Sequence, residues 1–391
     1  MTPPARVQAA IEILDLVIAA ARDDGPPADA IVASYFKTRR YAGSGDRRAV
    51  RELVYRAIRR SGERPESGRQ AMLGLDDAAA SFGEGGHGPA AIGEREEAAG
   101  EQLIPQWIEP ELSPLVEARE WAALLERAPL DLRVNVARTT REAMLEAFDG
   151  AAPTRLSPWG IRLPADSQIE RHPAMVDGLA EVQDEGSQMI ALACAASGEM
   201  NIIDLCAGAG GKSLALAAMA PGADIIACDN NRRRLSKLGP RAERAGATIE
   251  VRLLDGGREA EQLEDLKGQA DIVLVDAPCS GSGTWRRNPE GRWRLSPAGL
   301  DQVTALQARL LDLAVPLVKP GGALVYAVCS ILAREGAGQV ADFLGRHSSW
   351  VVQDPGDAMQ GFGRVDGAGR LLTPGHDGTD GFFVARLKRP C

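Results

Sequence analysis

Two cysteines in this 391-residue sequence stand where a thiol could take part in a reaction. Cys279 lies in the segment Asp276-Ala-Pro-Cys-Ser-Gly-Ser-Gly283, directly after an apolar run, and Cys329 follows a second apolar run. Most free cysteines are small buried residues, which is our interpretation of Cys194 and Cys228. A thiolate can also add to an electrophilic carbon, but a free thiol with a pKa of about 8.5 must first be activated. The positions of Cys279 and Cys329 therefore suggest covalent catalysis.

A glycine-rich loop that precedes both cysteines indicates a ligand site. The loop lies in Asp204-Leu-Cys-Ala-Gly-Ala-Gly-Gly-Lys-Ser213, between an apolar run and a helix-like stretch. A P-loop would need glycine in place of Cys206, and the dinucleotide fingerprint would need glycine in place of Ser213. The loop of an S-adenosylmethionine site remains, because no phosphate must be held there. A glycine turn without a ligand would explain this segment alone about equally well.

Acidic residues at the ends of predicted strands favour the ligand site. Asp204, Asp229, Asp255 and Asp276 each follow or end an apolar run, and helix-like stretches separate these runs. This alternation predicts a parallel sheet with helices on both faces. Ligands of such sheets bind at the carboxyl ends of the strands. We therefore expect the four carboxylates to meet at one site, with Asp229 near the ribose hydroxyls of the ligand.

Composition limits the class of protein. Hydrophobic residues make up 45% of the chain and charged residues 25%, as in soluble globular proteins. No apolar run approaches the roughly 20 residues of a membrane span, and Glu12 and Asp15 interrupt the N-terminal apolar pattern, which argues against a signal peptide. The cysteines form no C-x-x-C pair and the histidines are scattered, so no metal site is predicted. We expect a cytoplasmic protein without a bound metal.

The length predicts two or three domains. Apolar residues at helical spacing indicate an all-helical domain over residues 1–128. Within it, residues 62–102 are rich in Gly, Glu, Ala and Ser, which suggests a flexible insertion. A small α/β subdomain is expected over 129–180 and the α/β sheet domain over 181–391.

Arginines are concentrated in two segments although the net charge is −9. One segment is 37–60, where arginines surround the apolar positions of a predicted helix, and the other is 286–294. An arginine-rich helix face is most often simply solvated. The density of arginines nevertheless makes contact with RNA phosphates a reasonable hypothesis for both segments.

Methylation of cytosine is a reaction that would use such thiols. Carbon 5 of cytosine is a poor nucleophile, but a thiolate that adds to carbon 6 moves electron density to carbon 5. Asp276 could then hydrogen-bond ring nitrogen 3, and Lys212 could bring positive charge near the base. Sequence position alone does not decide whether Cys279 or Cys329 is the nucleophile.

These motifs resemble the RsmB/NOP2/Sun family of RNA cytosine-5 methyltransferases. The matching segments are 183–187, 204–213, 276–283, 286–293, 328–330 and 380–385. The resemblance implies a Rossmann-like class I methyltransferase domain with a mostly parallel, seven-stranded sheet, preceded by a small α/β unit and an all-helical domain. Residues 5–60 resemble more weakly the NusB-like RNA-binding domain of the bacterial 16S rRNA members.

The resemblance also implies roles for individual residues. S-adenosylmethionine would be bound by Cys206, Ala207, Gly208, Ala209, Gly210, Gly211, Lys212, Asp229, Asp255 and Asp276. Cys329 would be the nucleophile, and Cys279 would assist release of the product. Two departures from the family pattern concern the detailed geometry: Val328 replaces the usual Thr, and Gly208-Ala209 replaces the usual Ala-Pro.

Other functions remain open at this level. The NusB-like segment favours ribosomal RNA as the substrate over tRNA. The run Asp271-Ile-Val-Leu-Val-Asp276 also resembles the metal-binding strand of a P-loop NTPase, although Cys206 argues against that class. A catalytically inactive RNA-binding or assembly protein would retain the fold, but the presence of both Cys279 and Cys329 argues against it.

Overall fold

The computed structural model describes residues 1–164, 167–353 and 361–391. The chain forms two compact units. The first comprises Met1–Leu112, Glu117–Glu126 and Thr284–Gly299; the second comprises Ser113–Val116, Arg127–Gly283 and Leu300–Cys391. No helix among the described residues is both long and apolar enough to span a membrane.

Sixteen α-helices and thirteen strands follow one another along the described parts of the chain. The helices are α1 (Pro3–Arg22), α2 (Ala28–Thr38), α3 (Ser44–Arg60), α4 (Gly68–Leu73), α5 (Asp76–Ala79), α6 (Arg141–Ala147), α7 (Pro173–Val176), α8 (Glu185–Ala193), α9 (Gly211–Met219), α10 (Arg232–Leu235), α11 (Leu238–Ala245), α12 (Glu259–Gln262), α13 (Gly291–Arg294), α14 (Pro297–Ala314), α15 (Ala337–Arg346) and α16 (Pro374–Asp377). The strands are β1 (Leu130–Val134), β2 (Ala152–Pro153), β3 (Gly160–Leu163), β4 (Ala180–Val182), β5 (Asn201–Asp204), β6 (Asp224–Asp229), β7 (Glu250–Leu253), β8 (Ala270–Asp276), β9 (Val318–Val328), β10 (Val351–Val352), β11 (Arg364–Asp366), β12 (Gly369–Leu372) and β13 (Phe382–Lys388).

The first unit is helical and has its own apolar core. Helix α1 begins after Thr2, whose hydroxyl accepts a hydrogen bond from the amide of Ala5 and so caps the first turn. Its apolar positions, spaced three and four residues apart, are buried against α3 and α4. The core also includes Trp293 of α13, so the chain returns to this unit after β8. The helix predicted within residues 37–60 is confirmed as α3, and α1 is a helix of the expected all-helical domain.

The expected flexible insertion at 62–102 is partly wrong. Helices α4 and α5 lie inside it, and Ala71, Met72, Leu75 and Ala78 belong to the buried core of the first unit. Met72, Leu75 and Ala78 follow one another at intervals of three residues, although large apolar residues are few in this segment. The composition of the segment concealed this short helical pattern.

The second unit contains two sheets. The smaller one has the order β2-β3-β1-β4, and its pairs are antiparallel. The boundary expected at residue 180 lies inside β4, so this sheet extends to Val182. The expected Rossmann-like architecture is confirmed in the larger sheet, in which the described residues form nine strands rather than seven. Strands β5 to β9 are parallel to one another, whereas β10 to β13 add antiparallel pairs from the C-terminal part of the chain.

The order of the parallel strands determines where a ligand can bind. The sheet runs β9-β8-β5-β6-β7, so the chain moves outward from β5 in one direction and then crosses to β8 on the other side. Connections on opposite faces leave a crevice at the carboxyl ends of β5 and β8. The segments that follow these strands begin at Leu205 and Ala277, and they carry the glycine loop and Cys279.

Candidate active site

The two cysteines meet at the carboxyl ends of neighbouring strands. Cys279 follows β8 by three residues and Cys329 directly follows β9, and their Sγ atoms are 3.3 Å apart. Both side chains are partly buried. The hydrogen bond with Cys329 and burial together raise the pKa of Cys279 well above its ordinary value. The thiol of Cys279 can therefore donate a hydrogen bond to the sulfur of Cys329.

A buried ion pair lies close to the thiols. Lys212 Nζ is 2.6 Å from Asp276 Oδ2, and the lysine side chain is 10% exposed. Burial by itself lowers the pKa of Lys212, but the charge and hydrogen bond of Asp276 outweigh it, with a smaller contribution from Cys329, and the pKa is raised. Lys212 is therefore a cation at neutral pH, and its charge lies near Asp276 and the sulfur of Cys329.

A cavity of about 400 Å³ opens beside these groups. Its polar and thiol lining includes Cys206, Asp229, Asp276, Cys279 and Cys329. Its apolar lining includes Leu254, Leu306, Leu310 and Leu313. The volume lies within the range of small-molecule sites, roughly 300–1,000 Å³. A carboxylate on one side and leucines on the other suit a ligand with a polar sugar and an apolar ring.

Asp229 holds the glycine loop at one side of the cavity. Its Oδ2 accepts a hydrogen bond from the amide of Gly208 at 2.7 Å, and its Oδ1 accepts one from the amide of Asn231 at 2.7 Å. Gly210, at the start of α9, has φ of 80°, and a Cβ there would collide with Leu238. Glycine at this position is thus required by the left-handed backbone and by the close approach of α11.

The four strand-end carboxylates do not meet as expected. Asp204 is fully buried and accepts a hydrogen bond from Ser213 Oγ at 2.6 Å, and it does not line the cavity. Asp255 is exposed beyond the end of β7 and bonds with Gln262, so it also lies outside the lining. The alternation of apolar runs with helix-like stretches located the strand ends correctly. It did not show which way each carboxylate points.

Of the other predicted cofactor residues, one lines the cavity and the rest do not. Cys206 lines the cavity, and burial raises the pKa of its thiol well above the ordinary value, which keeps it neutral. Ala207, Gly208, Ala209, Gly210, Gly211 and Lys212 are not in the lining of this cavity. Their contribution is indirect: Gly208 bonds with Asp229, and Lys212 bonds with Asp276.

Sequence reasoning missed several residues around the thiols. Glu335 is fully buried and accepts hydrogen bonds from Ser280, Ser330 and Gln307. Ser280 and Ser330 lie in the segments 276–283 and 328–330, but no motif in the sequence marked Gln307 or Glu335. The leucines of α14 could have been found, because positions 306, 310 and 313 have the spacing of one helix face.

The two arginine-rich segments differ in exposure. Arg47, Arg48 and Arg51 of α3 are exposed, and they remain candidates for RNA contact. Arg292 is 1% exposed and donates to the carbonyls of Ile58 and Pro289, and burial lowers its pKa to about 9.

Arg294 of the second segment also forms hydrogen bonds within the protein, because it donates to the carbonyls of Gly25 and Pro26. The RNA contact expected of the segment 286–294 is therefore wrong for Arg292 and Arg294. Their guanidinium groups satisfy backbone carbonyls of the first unit instead.

Comparison with known proteins gives a consistent result. A family model described as 16S rRNA methyltransferase RsmB/F matches residues 189–388. Ribosomal RNA small subunit methyltransferase B of Salmonella paratyphi B is 34% identical over 293 residues, 73% of this chain. The corresponding protein of Salmonella typhi has the same identity and coverage. The match spans 66% of the length of each of these relatives.

Solved structures share the fold. The crystal structure of PH0851 has a TM-score of 0.74 and is 21% identical, and the match covers 100% of this chain and 99% of that one. The structure of NSun6 from Pyrococcus horikoshii with SFG has a TM-score of 0.60 at 19% identity. That match covers 68% of this chain and 92% of the NSun6 chain.

Proposed function

The chain belongs to the 16S rRNA methyltransferase RsmB/F family, and from that premise we propose that it methylates carbon 5 of a cytosine in 16S ribosomal RNA. The observation that carries this proposal is the 3.3 Å approach of Cys279 and Cys329 beside a ligand-sized cavity. An intracellular RNA substrate makes a cytoplasmic location part of the same proposal.

The residues of the cavity suit S-adenosylmethionine as the cofactor. The related NSun6 structure contains SFG, an analogue of this compound. Asp229 would accept a ribose hydroxyl, and Leu254, Leu306 and Leu310 would cover the adenine ring. S-adenosylmethionine supplies an electrophilic methyl group when bound. The absence of glycine at position 206 disfavours the alternative of a P-loop NTPase, since Cys206 lines the cavity at that point.

Addition is the first step that the residues of this chain would perform. The Cys329 sulfur, once its proton has passed to solvent, forms a bond with carbon 6 of cytosine beside the Lys212 cation. The electron pair of the carbon 5–carbon 6 double bond becomes available at carbon 5, which receives the methyl group. As negative charge develops on the ring, Asp276 donates a hydrogen bond to ring nitrogen 3 with a proton that it receives from Lys212, its hydrogen-bond partner.

Release requires the second thiol. The Cys279 thiol donates its proton to the departing Cys329 sulfur, and the resulting Cys279 thiolate accepts the proton of carbon 5. The carbon–sulfur bond breaks and the carbon 5–carbon 6 double bond re-forms, so both thiols return to their protonated state. The raised pKa of Cys279 suits it to hold a proton until this step.

The test uses unmethylated 16S rRNA, labelled S-adenosylmethionine and single-cysteine variants. Cys329→Ala should abolish both methyl transfer and the covalent RNA–protein adduct. Cys279→Ala should add and methylate but release slowly, so a protease-sensitive adduct should accumulate on denaturing gels. Sequencing after bisulfite treatment should locate the label at carbon 5 of cytosine.

Three outcomes would contradict the proposal. An adduct that accumulates in Cys329→Ala and is absent from Cys279→Ala would reverse the roles of the thiols. Methylation of tRNA but not of 16S rRNA would favour the tRNA alternative, and no transfer to any RNA would favour a binding or assembly protein.

A further inference from the structure

One buried carboxylate contacts both of the loops that carry the cysteines. Glu335 is 0% exposed. Its Oε1 accepts hydrogen bonds from the amide of Ser280 at 2.8 Å and from Gln307 Nε2 at 2.9 Å. Its Oε2 accepts a hydrogen bond from Ser330 Oγ at 2.5 Å and another from Ser280 Oγ. A buried carboxylate is tolerated only when its oxygens are satisfied in this way.

The donors are the residues next to the thiols. Ser280 follows Cys279, and Ser330 follows Cys329. Gln307 Nε2 also donates to the carbonyl of Pro278, the residue before Cys279, at 2.9 Å. The carboxylate of Glu335 is therefore linked to both neighbours of one cysteine and to one neighbour of the other.

Further hydrogen bonds join the same two loops. The amide of Gly283 donates to the carbonyl of Cys329 at 3.1 Å, and the amide of Ile331 donates to Ser282 Oγ at 3.0 Å. Ser282 Oγ and Ser330 Oγ are 2.9 Å apart. Glu335 is the only charged group of this network, and hydrogen bonds to a charged acceptor are stronger than those between neutral groups.

We propose that Glu335 is a positioning residue that sets the separation of the Cys279 and Cys329 thiols. It touches neither sulfur and acts through the serines that follow them. Its value for catalysis rests on the proposed function, but the thiol separation itself exists without RNA or cofactor. The two properties can therefore be tested separately.

The proposal makes a specific statement about the reaction. Addition needs only the Cys329 sulfur, whereas release needs a proton to pass between sulfurs that are 3.3 Å apart. Loss of Glu335 should therefore slow release more than addition. A residue that only stabilised the fold would slow both steps through the loss of folded protein.

The first experiment measures thiol proximity in the whole protein with dibromobimane. Each bromomethyl arm alkylates one thiolate and releases bromide, and fluorescence develops when both arms have reacted with neighbouring thiols. The variant is Glu335→Gln, and Cys279→Ser gives the background from the other cysteines.

Glu185→Gln is the matched control for this measurement. Glu185 is 1% exposed in the same unit, and it accepts a hydrogen bond from the amide of Ser157 at 2.8 Å without contacting either cysteine loop. Its loss should cost similar stability and leave the thiols in place.

We expect bridging fluorescence in Glu335→Gln to fall by about tenfold, the effect of losing one hydrogen bond to a charged group. Glu185→Gln should retain the wild-type signal. Wild-type bridging in folded Glu335→Gln, or an equal loss in both variants, would overturn the proposal. If Glu335→Gln does not fold, the double variant Ser280→Ala/Ser330→Ala, which keeps the carboxylate, takes its place with the same expected and contrary results.

The second experiment measures the reaction steps with 16S rRNA. In Glu335→Gln the covalent adduct should form at close to the wild-type rate and decay about tenfold more slowly. Equal slowing of both steps would overturn a role in positioning. If wild-type protein transfers no methyl group, the proposed function fails, but the bimane result still decides whether Glu335 sets the thiol separation.

Discussion

The thiol side and the cofactor side of the cavity are held by different kinds of hydrogen bond. On the thiol side, the Glu335 carboxylate is bonded mainly to other side chains, those of Ser280, Ser330 and Gln307. On the cofactor side, the Asp229 carboxylate is bonded to backbone amides, those of Gly208 and Asn231. Each side thus depends on one acidic residue, but the groups that these residues fix are different.

The difference matches the role that we propose for each side. Covalent catalysis requires two side chains at a fixed distance, because small displacements of reacting atoms are costly. Side-chain contacts next to both cysteines provide this. Binding of a cofactor requires a loop of defined shape, and a carboxylate that accepts backbone amides fixes that shape directly. Asp276 belongs to both sides, since it lines the cavity and pairs with Lys212.

Replacement of Asp276 should have the largest effect. We expect Asp276→Asn to lower single-turnover methyl transfer by about 100-fold or more, because the carboxylate would no longer balance Lys212 or stabilise the adduct. Rapid-quench assays measure this rate. Asp271→Asn is the control, since Asp271 lies at the opposite end of β8 and pairs with Lys319. Similar losses in both variants would mean that strand stability, and not the site, is affected.

Replacing Asp229 and replacing Asp255 should have clearly different effects on the affinity for the cofactor. Asp229→Ala removes an acceptor in the cavity and frees the loop amides, so S-adenosylmethionine should bind about tenfold to a hundredfold more weakly, or about 1–3 kcal/mol. Asp255→Ala should change the affinity by no more than about twofold, because that residue lies outside the cavity. Calorimetry measures both. A larger loss for Asp255 than for Asp229 would reverse the assignment of the cofactor side.

Asp204 should affect stability rather than either side of the cavity, and its effect should depend on pH. Burial raises its pKa from 3.8 to about 7. Between these values the native state binds more protons than the unfolded state, so the free energy of unfolding should fall as pH rises through this range.

Asp204→Asn removes this titration and should show a flatter profile in urea denaturation at pH 5 and pH 8. Ser213→Ala, which keeps the carboxyl group but removes its hydrogen bond, should retain the fall with pH. Profiles that are parallel for wild type and Asp204→Asn would show that the carboxyl group is not the cause.

Much of the fold could be predicted from local sequence. Apolar runs separated by helix-like stretches indicated the parallel strands, and the turn motifs located the segments at their carboxyl ends. Both cysteines, Asp229 and Asp276 were found in this way, because parallel strand ends meet at one edge of a sheet. The antiparallel strands β10 to β13 extend the sheet. Of these strands, the sequence analysis noted only the segment 380–385, which overlaps β13.

The failures share a physical cause. Asp204 and Asp255 follow strands just as Asp229 and Asp276 do, but one points into the protein and the other into solvent. Arg292 occupies an arginine-rich segment, yet it is buried against carbonyls of residues more than 200 positions earlier in the chain. Local sequence does not contain these partners.

The sequence by itself determined the strands, the glycine turn and which side chains are candidates for the chemistry, because these depend on residues a few positions apart. Only the tertiary structure decided which of these groups face one another. The 3.3 Å approach of two thiols that are 50 residues apart, and the carboxylate of Glu335 between their loops, arise because β8 and β9 are neighbours in the sheet. Burial and hydrogen-bond satisfaction are properties of the folded surroundings, so they appear only when distant segments have packed together.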